Sequence, residues 1–273
     1  MNALFVTNKP RGISSNFFLN KIKRKYGVKK AGFSGTLDPF ASGCLIVAFG
    51  QYTKLFSYLE KTPKTYVATM WIGAFCESLD DENITSVENI LPFHPSALDI
   101  IKNSLLGEIS YTPPKYSAKK VDGKRAYNLA KNGINFELKQ SKMNVYECEI
   151  LSYCHPFLTF KISVNEGSYI RSYAQLFANK LGIKATLCSL KRLSEGKFKY
   201  ENEKKLNPTE FLNLEKNEYN GNSLDVNLGK KLDICNFSKK ENGKYLIEFD
   251  DFFSIIEIND GEIKYCLNKV EKC

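Results

Sequence analysis

Histidine is scarce in this chain, with His94 and His155 its two examples. None of the eight cysteines, at positions 44, 76, 148, 154, 188, 235, 266 and 273, forms a C-x-x-C pair. Zinc sites draw on closely spaced Cys and His ligands, so no metal site is expected. Nothing singles out one cysteine as a nucleophile, and the thiols are expected to be reduced and mostly small, buried apolar residues. Long apolar runs are missing too. The longest, Cys44 to Phe49, is far below the roughly 18 residues that a membrane span needs. The first ten residues lack a charged lead-in, an apolar h-region and a small-residue cleavage site, so a cytoplasmic protein is expected. Acid is absent from residues 1–37, and Asp38 is the first carboxylate.

The rest of the composition is that of a soluble globular chain. It has 273 residues, 43% apolar and 25% charged, with 17 glycines and nine prolines. That length suits one large domain, or one domain with a small appendage. The charge is divided unevenly. Residues 1–200 hold 28 Lys/Arg against 15 Asp/Glu, whereas residues 201–273 hold 11 against 15. The asymmetry predicts a boundary near 200–220 and an anionic partner for the first part. Residues 1–37 carry eight basic side chains, and residues 111–131 carry six together with Tyr111, Tyr116 and Tyr127. Cations interleaved with rings suit RNA, where phosphates and unpaired bases are both available.

Periodicity and punctuation predict an α+β fold with a mixed sheet. Strands are expected at 3–7, 44–49, 66–72, 145–153, 157–164 and 186–190. Helices are expected from Ser14 or Ser15 to Tyr26, and over 53–61, 96–106, 124–132 and 170–181. Residues 31–43 read as a glycine-rich loop, and 75–92 as an exposed acidic one. After a polar linker at 217–222, three short strands at 245–249, 253–258 and 263–267 predict a small β-rich domain. The expected domains are 1–206 and 222–273.

The most informative segment is Ala31-Gly32-Phe33-Ser34-Gly35-Thr36-Leu37-Asp38-Pro39-Phe40-Ala41-Ser42-Gly43. Its glycines permit close backbone approach to a ligand, and Pro39 restricts the conformation of Asp38. A carboxylate among cations does not bind phosphate, which leaves it free for other chemistry. Five further segments are distinctive: Lys9-Pro10-x-Gly12-x-Ser14-Ser15, Lys64-Thr65-Tyr66, Tyr116-Ser117-Ala118-x-Lys120, Gly167-Ser168-Tyr169-Ile170-Arg171 and Leu190-Lys191-Arg192-Leu193. Together, and in this order, the six resemble the motifs of the bacterial TruB-type tRNA pseudouridine synthases. The likeness spans roughly residues 3–200. The family commonly has histidine where this chain has Phe33, a position from which a phenyl ring can still stack or wedge.

The resemblance implies an isomerase that flips the T-loop uridine at tRNA position 55 into a cleft. Asp38 is implied as the essential carboxylate, acting as nucleophile or as a base on the sugar. Arg171 is implied to pair with it, holding it ionised with a depressed pKa; at about 4 Å and an effective dielectric near 20 the pair gains about 4 kcal/mol before desolvation. Tyr66 would stack on the base and assist proton removal from C5. Tyr169, Phe33 and Leu190 would line the substrate pocket, and the second domain would be PUA-like. Lys9, Lys23, Lys119, Lys120 and Arg125 are candidate phosphate contacts. The acidic tail would offer at most Lys230, Lys231, Lys239 and Lys240. Neither a metal, an organic cofactor nor an obligatory protein partner is expected, and no membrane. Two rival readings are an RNA chaperone without catalysis and an RNA-guided relative that works with partner proteins.

Overall fold

The structure is a computed structural model that describes residues 1–272. Nine strands form one mixed sheet. Its main path runs, edge to edge, through Ala3–Lys9, Ser42–Phe49, Ala185–Glu195, Lys64–Ile72, Phe157–Val164, Ser141–Cys154 and Gly107–Tyr111. Every pairing along it is antiparallel except Ala185–Glu195 against Ser42–Phe49, where Lys191 faces Ser42 and Arg192 faces Gly43. Gly43 has φ +106, and a Cβ there would collide with the Arg192 backbone, so this crossing requires glycine.

The alternation in Lys64–Ile72 buries Lys64, Tyr66, Ala68, Met70 and Ile72 on one face. That face packs on the Ile170–Leu181 helix through Ile170, Tyr173, Ala174 and Phe177. The other end of the sheet is covered by the Ser15–Tyr26 helix. Ser14 caps its N-terminus by accepting from the Phe17 amide, and Gly27 closes it in the left-handed region at φ 63.

Several boundaries differ from the sequence expectation. Part of the glycine-rich loop, Ala31–Ser34, is a strand that pairs with Ser42–Phe49. Gly50–Ser57 is a 3-10 helix, and Ala126–Lys131 is preceded by a two-strand hairpin at Lys120–Val121 and Lys124–Arg125. The acidic loop is not wholly exposed: Cys76, Leu79 and Asp80 are buried.

The tail forms a four-stranded sheet in the order Glu215–Lys216, Gly243–Glu248, Phe252–Asn259, Glu262–Glu271. It therefore begins before residue 222. The polar stretch read as a linker is structured: Asn217 is buried and donates its amide to the Leu246 carbonyl, and Tyr219 packs on Phe237. Nor is this sheet separate from the first. Leu246, Phe253, Ile255 and Val270 share one apolar cluster with Leu4, Val6, Ile46, Ala48 and Leu55. Polar residues mark a linker only when their backbone is left to water, and here the sheet takes it up.

Candidate active site

A cavity of about 270 Å³ opens where the Asp38 loop, the Lys64–Ile72 strand and the start of the Ile170–Leu181 helix meet. Asp38, Tyr66, Tyr169, Arg171 and Leu190 line it, with Lys64, Glu166 and Arg192. Five residues singled out in the sequence are thus brought together from four separate motifs.

The N-terminal motif positions the loop. Ser15 Oγ donates to the Leu37 carbonyl at 2.9 Å and accepts from the Leu37 amide at 3.0 Å. The Gly12 amide donates to the Pro39 carbonyl at 2.8 Å. Lys9 is fully buried, and its Nζ donates to the carbonyls of Ile13, Pro10 and Pro39 at 2.7, 2.9 and 3.4 Å. Lys9 is therefore not placed to meet a phosphate, contrary to the sequence expectation. Its ammonium is spent inside the protein, and burial lowers its pKa to about 8, with Asp38 opposing that shift and Arg192 adding to it.

Asp38 Oδ2 meets Arg171 Nη2 at 2.8 Å; 32% of the Asp38 side chain is open to the cavity, whereas Arg171 is 2% exposed. The guanidinium is held on other sides as well. Nη1 donates to the Ser78 carbonyl at 2.6 Å and lies 3.3 Å from Asp80 Oδ2, while Nη2 donates to the Tyr116 carbonyl at 2.9 Å. Asp80 is in turn fixed by the Ser78 hydroxyl at 2.5 Å and the Glu82 amide at 3.2 Å. Sequence reading noted the acidic character of this stretch but singled out no residue within it. No local signal marks Asp80, because its partner Arg171 lies 91 residues away.

The expectation of a depressed Asp38 pKa needs correction. Burial raises it above the ordinary value, Arg171 pulls it down, and Asp80 pushes it up again. One guanidinium serves two carboxylates, so its field does not outweigh desolvation. Tyr169 is likewise raised, chiefly by burial.

Behind Tyr66 lies a second charged cluster. Glu195, fully buried, meets Arg192 at 2.9 Å and Lys64 at 3.0 Å. Arg192 donates to the carbonyls of Gly35 and Cys44, both at 2.8 Å, tying together the two ends of the Asp38 loop. Gly35, at φ +66, has no room for a side chain, because a Cβ would lie 2.7 Å from Glu195 Oε2.

Phe33 does not line the cavity. It sits in the Ala31–Ser34 strand opposite Val47 and packs against the cluster of Phe5, Phe18, Ile22 and Phe49. The strand's alternation turns its ring to that layer, and the cavity wall begins two residues later at Gly35.

The proposed phosphate contacts fall into two groups. Ala118 lines the cavity, and Lys119, Lys120 and Arg125 belong to the same segment. Lys120 and Arg125 are exposed, Lys119 donates to Ser141 Oγ at 2.5 Å, and Arg125 donates to the Ala118 carbonyl. Lys23 is half-buried in the Ser15–Tyr26 helix, away from the cavity lining. In the tail, Lys230 is paired with Asp225 and Lys239 with Glu215. Among the described residues, no group of three or more His, Cys, Asp or Glu could hold a metal ion, and no helix is long and apolar enough to cross a membrane.

This chain is similar to proteins already known. The tRNA pseudouridine synthase B of Campylobacter curvus is 62% identical over the whole of both chains. That of a Sulfurovum species is 52% identical over 100% of this chain and 98% of its own. Among solved structures, a Cbf5-Nop10-Gar1 complex contains a chain that matches 99% of this one and 84% of itself, with a TM-score of 0.70. At 20% identity that likeness speaks for the fold alone. The family model described as "TruB family pseudouridylate synthase (N terminal domain)" matches residues 23–170, and with the full-length relatives it shows that this chain belongs to the TruB family.

Proposed function

We propose that this chain converts the T-loop uridine at tRNA position 55 to pseudouridine, with Asp38 as the essential carboxylate. The observation that carries the reading is Asp38 in an open cavity, 2.8 Å from a buried arginine. The family and the naming of its full-length relatives as tRNA pseudouridine synthases support the substrate class.

The chemistry suits these residues. A base in a stacked loop must be turned out before its glycosidic bond can be reached, and the cavity is the place for it. The C1′–N1 bond breaks, the base rotates, a C1′–C5 bond forms, C5 loses its proton and N1 gains one. Atoms and electrons balance within the nucleotide, so the reaction consumes no co-substrate. Asp38 serves either as the nucleophile that holds the ribose or base, or as the base that draws a sugar proton in a glycal route. Arg171 orients the carboxylate and favours its ionised form, against the burial that raises its pKa, in either case. Tyr66 and Leu190 hold the base, and Tyr66 is the group nearest in kind to the proton transfer at C5. Lys119, Lys120 and Arg125 are the proposed RNA-backbone contacts, a reading supported by the exposure of Lys120 and Arg125 in the segment of the cavity-lining Ala118. With tRNA as substrate, the proposed place of action is the cytoplasm.

The test is the purified chain alone with an unmodified tRNA transcript, scored for pseudouridine at position 55. Product without added protein or guide RNA excludes the RNA-guided alternative. Asp38→Asn should lower single-turnover rate by at least about 10⁴-fold, roughly 5.4 kcal/mol of barrier, while affinity changes little. Substantial product from that variant would refute the role of Asp38.

A further inference from the structure

Lys61 and Lys64 point their ammonium groups at one oxygen. Glu166 Oε1 lies 3.2 Å from Lys61 Nζ and 3.4 Å from Lys64 Nζ. The lysines are largely enclosed, at 14% and 7% exposure, but Glu166 is 49% exposed. One buried and one half-buried cation thus reach out to a carboxylate that itself stands in solvent, on the cavity wall formed by Lys64, Glu166 and Arg192. Inward of it, Glu195 is shared between Lys64 and Arg192. Three cations therefore face two carboxylates, and if Glu166 swings out the wall carries a double positive excess.

We propose that Lys61 and Lys64 form a binding subsite for a phosphodiester of the RNA strand beside the turned-out uridine, and that Glu166 is a stand-in for that phosphate in the free protein. The proposal rests on the reading above that RNA is the substrate. The lysine heads are held by their enclosed stems, so the subsite is ready before the RNA arrives. Glu166 has few holds: it precedes Gly167, at φ 86, in a turn between the Phe157–Val164 strand and the Ile170–Leu181 helix. A carboxylate oxygen between two ammonium groups copies the geometry of a phosphate oxygen between them. Its release lets an anion of the substrate take over both contacts without leaving either lysine unpaired. A nucleotide whose base enters the cavity carries its own phosphates to the mouth, where this wall stands.

The experiment measures the affinity of an unmodified T-arm stem-loop RNA at several salt concentrations. All arms carry Asp38→Asn so that no turnover intervenes. Glu166→Gln should bind about 3- to 10-fold tighter at low salt, with the gain shrinking as salt rises. Lys61→Met should bind more weakly and lose about 0.7 from the magnitude of the logarithmic salt slope, as expected for one single-strand phosphate contact. In the Lys61→Met background the gain from Glu166→Gln should fall. A neutral methylphosphonate linkage beside the target uridine should weaken binding to the Lys61-containing protein and do so less in Lys61→Met. Unchanged or weaker binding by a folded Glu166→Gln variant, judged by circular dichroism, would overturn the subsite and make Glu166 a strut. Pseudouridine formation by the unaltered chain is measured alongside. Its absence would count against the functional reading, whereas its presence with no gain from Glu166→Gln counts against the subsite.

Discussion

Arg171 and Asp80 are 3.3 Å apart, and both are buried. The same guanidinium reaches Asp38 with its other nitrogen. Asp80 is thus the far anchor of the Asp38–Arg171 pair, although it does not line the cavity. Asp80→Asn keeps an oxygen that can accept from Arg171 but removes the charge. The turnover number should fall about 10- to 100-fold, or about 1.4–2.7 kcal/mol of barrier, with RNA affinity nearly unchanged. Weaker binding with an intact turnover number would assign Asp80 to the RNA interface instead.

The pH dependence follows from the raised Asp38 pKa. The proposed role of Asp38 needs the ionised carboxylate, so activity should be lost as pH falls through a midpoint above the ordinary 3.8. Asp80 is one cause of the rise, and Asp80→Asn should move that acid limb downward. For stability the sign reverses. The folded chain holds this proton more tightly than the unfolded one, so the contribution of Asp38 is fully present below 3.8 and is lost as pH rises through the folded value. Single-turnover rates and urea titrations at matched pH separate the two trends.

Lys9 gives a distinction between support and contact. Lys9→Met removes a donor from three carbonyls, which should cost about 1–3 kcal/mol of stability. The salt slope of RNA binding should stay within measurement error. A slope reduced by a full contact would restore Lys9 to the phosphate-binding set.

Phe253 tests the tail's attachment. It is fully buried in the cluster shared with Leu4, Val6 and Ile46. Phe253→Ala should cost about 3–5 kcal/mol in urea unfolding. Truncation after Pro208 should expose that cluster and lower Tm with increased binding of a hydrophobic dye. Because residues 201–273 carry more acids than bases and five of their lysines are paired with the tail's own acids, Phe253→Ala should leave the salt slope changed by less than one unit.

Local chemistry explains what was readable in the sequence. Strand alternation in Lys64–Ile72, the Ser14 cap and the Gly27 stop all act within a few residues, and their elements stand close to where the sequence put them. Resemblance of short motifs brought Asp38, Tyr66, Tyr169, Arg171 and Leu190 to one cavity, since each motif carries its residue to the same end of the sheet. What escaped depended on distant partners. Lys9 looks like any surface lysine until three carbonyls surround it. Asp80 becomes distinctive only once Arg171, 91 residues away, is beside it. The resemblance put Phe33 in the pocket, but the side its ring takes is decided by strand pairing with Val47. The tail's start was hidden because Glu215–Lys216 is too short to announce a strand and forms one only against Gly243–Glu248.

Ser15 both donates to and accepts from the peptide groups of Leu37. A side chain here does what a neighbouring strand would do, one residue before Asp38. The Leu37 amide should accordingly exchange its hydrogen with solvent on the timescale of the Ser15–Tyr26 helix rather than that of a free loop. Opening that amide means dislodging the helix start, so Asp38 rides on the most local cooperative unit that contains Ser15. The glycines around it thus serve fit and close approach, while the loop borrows its rigidity from outside its own sequence.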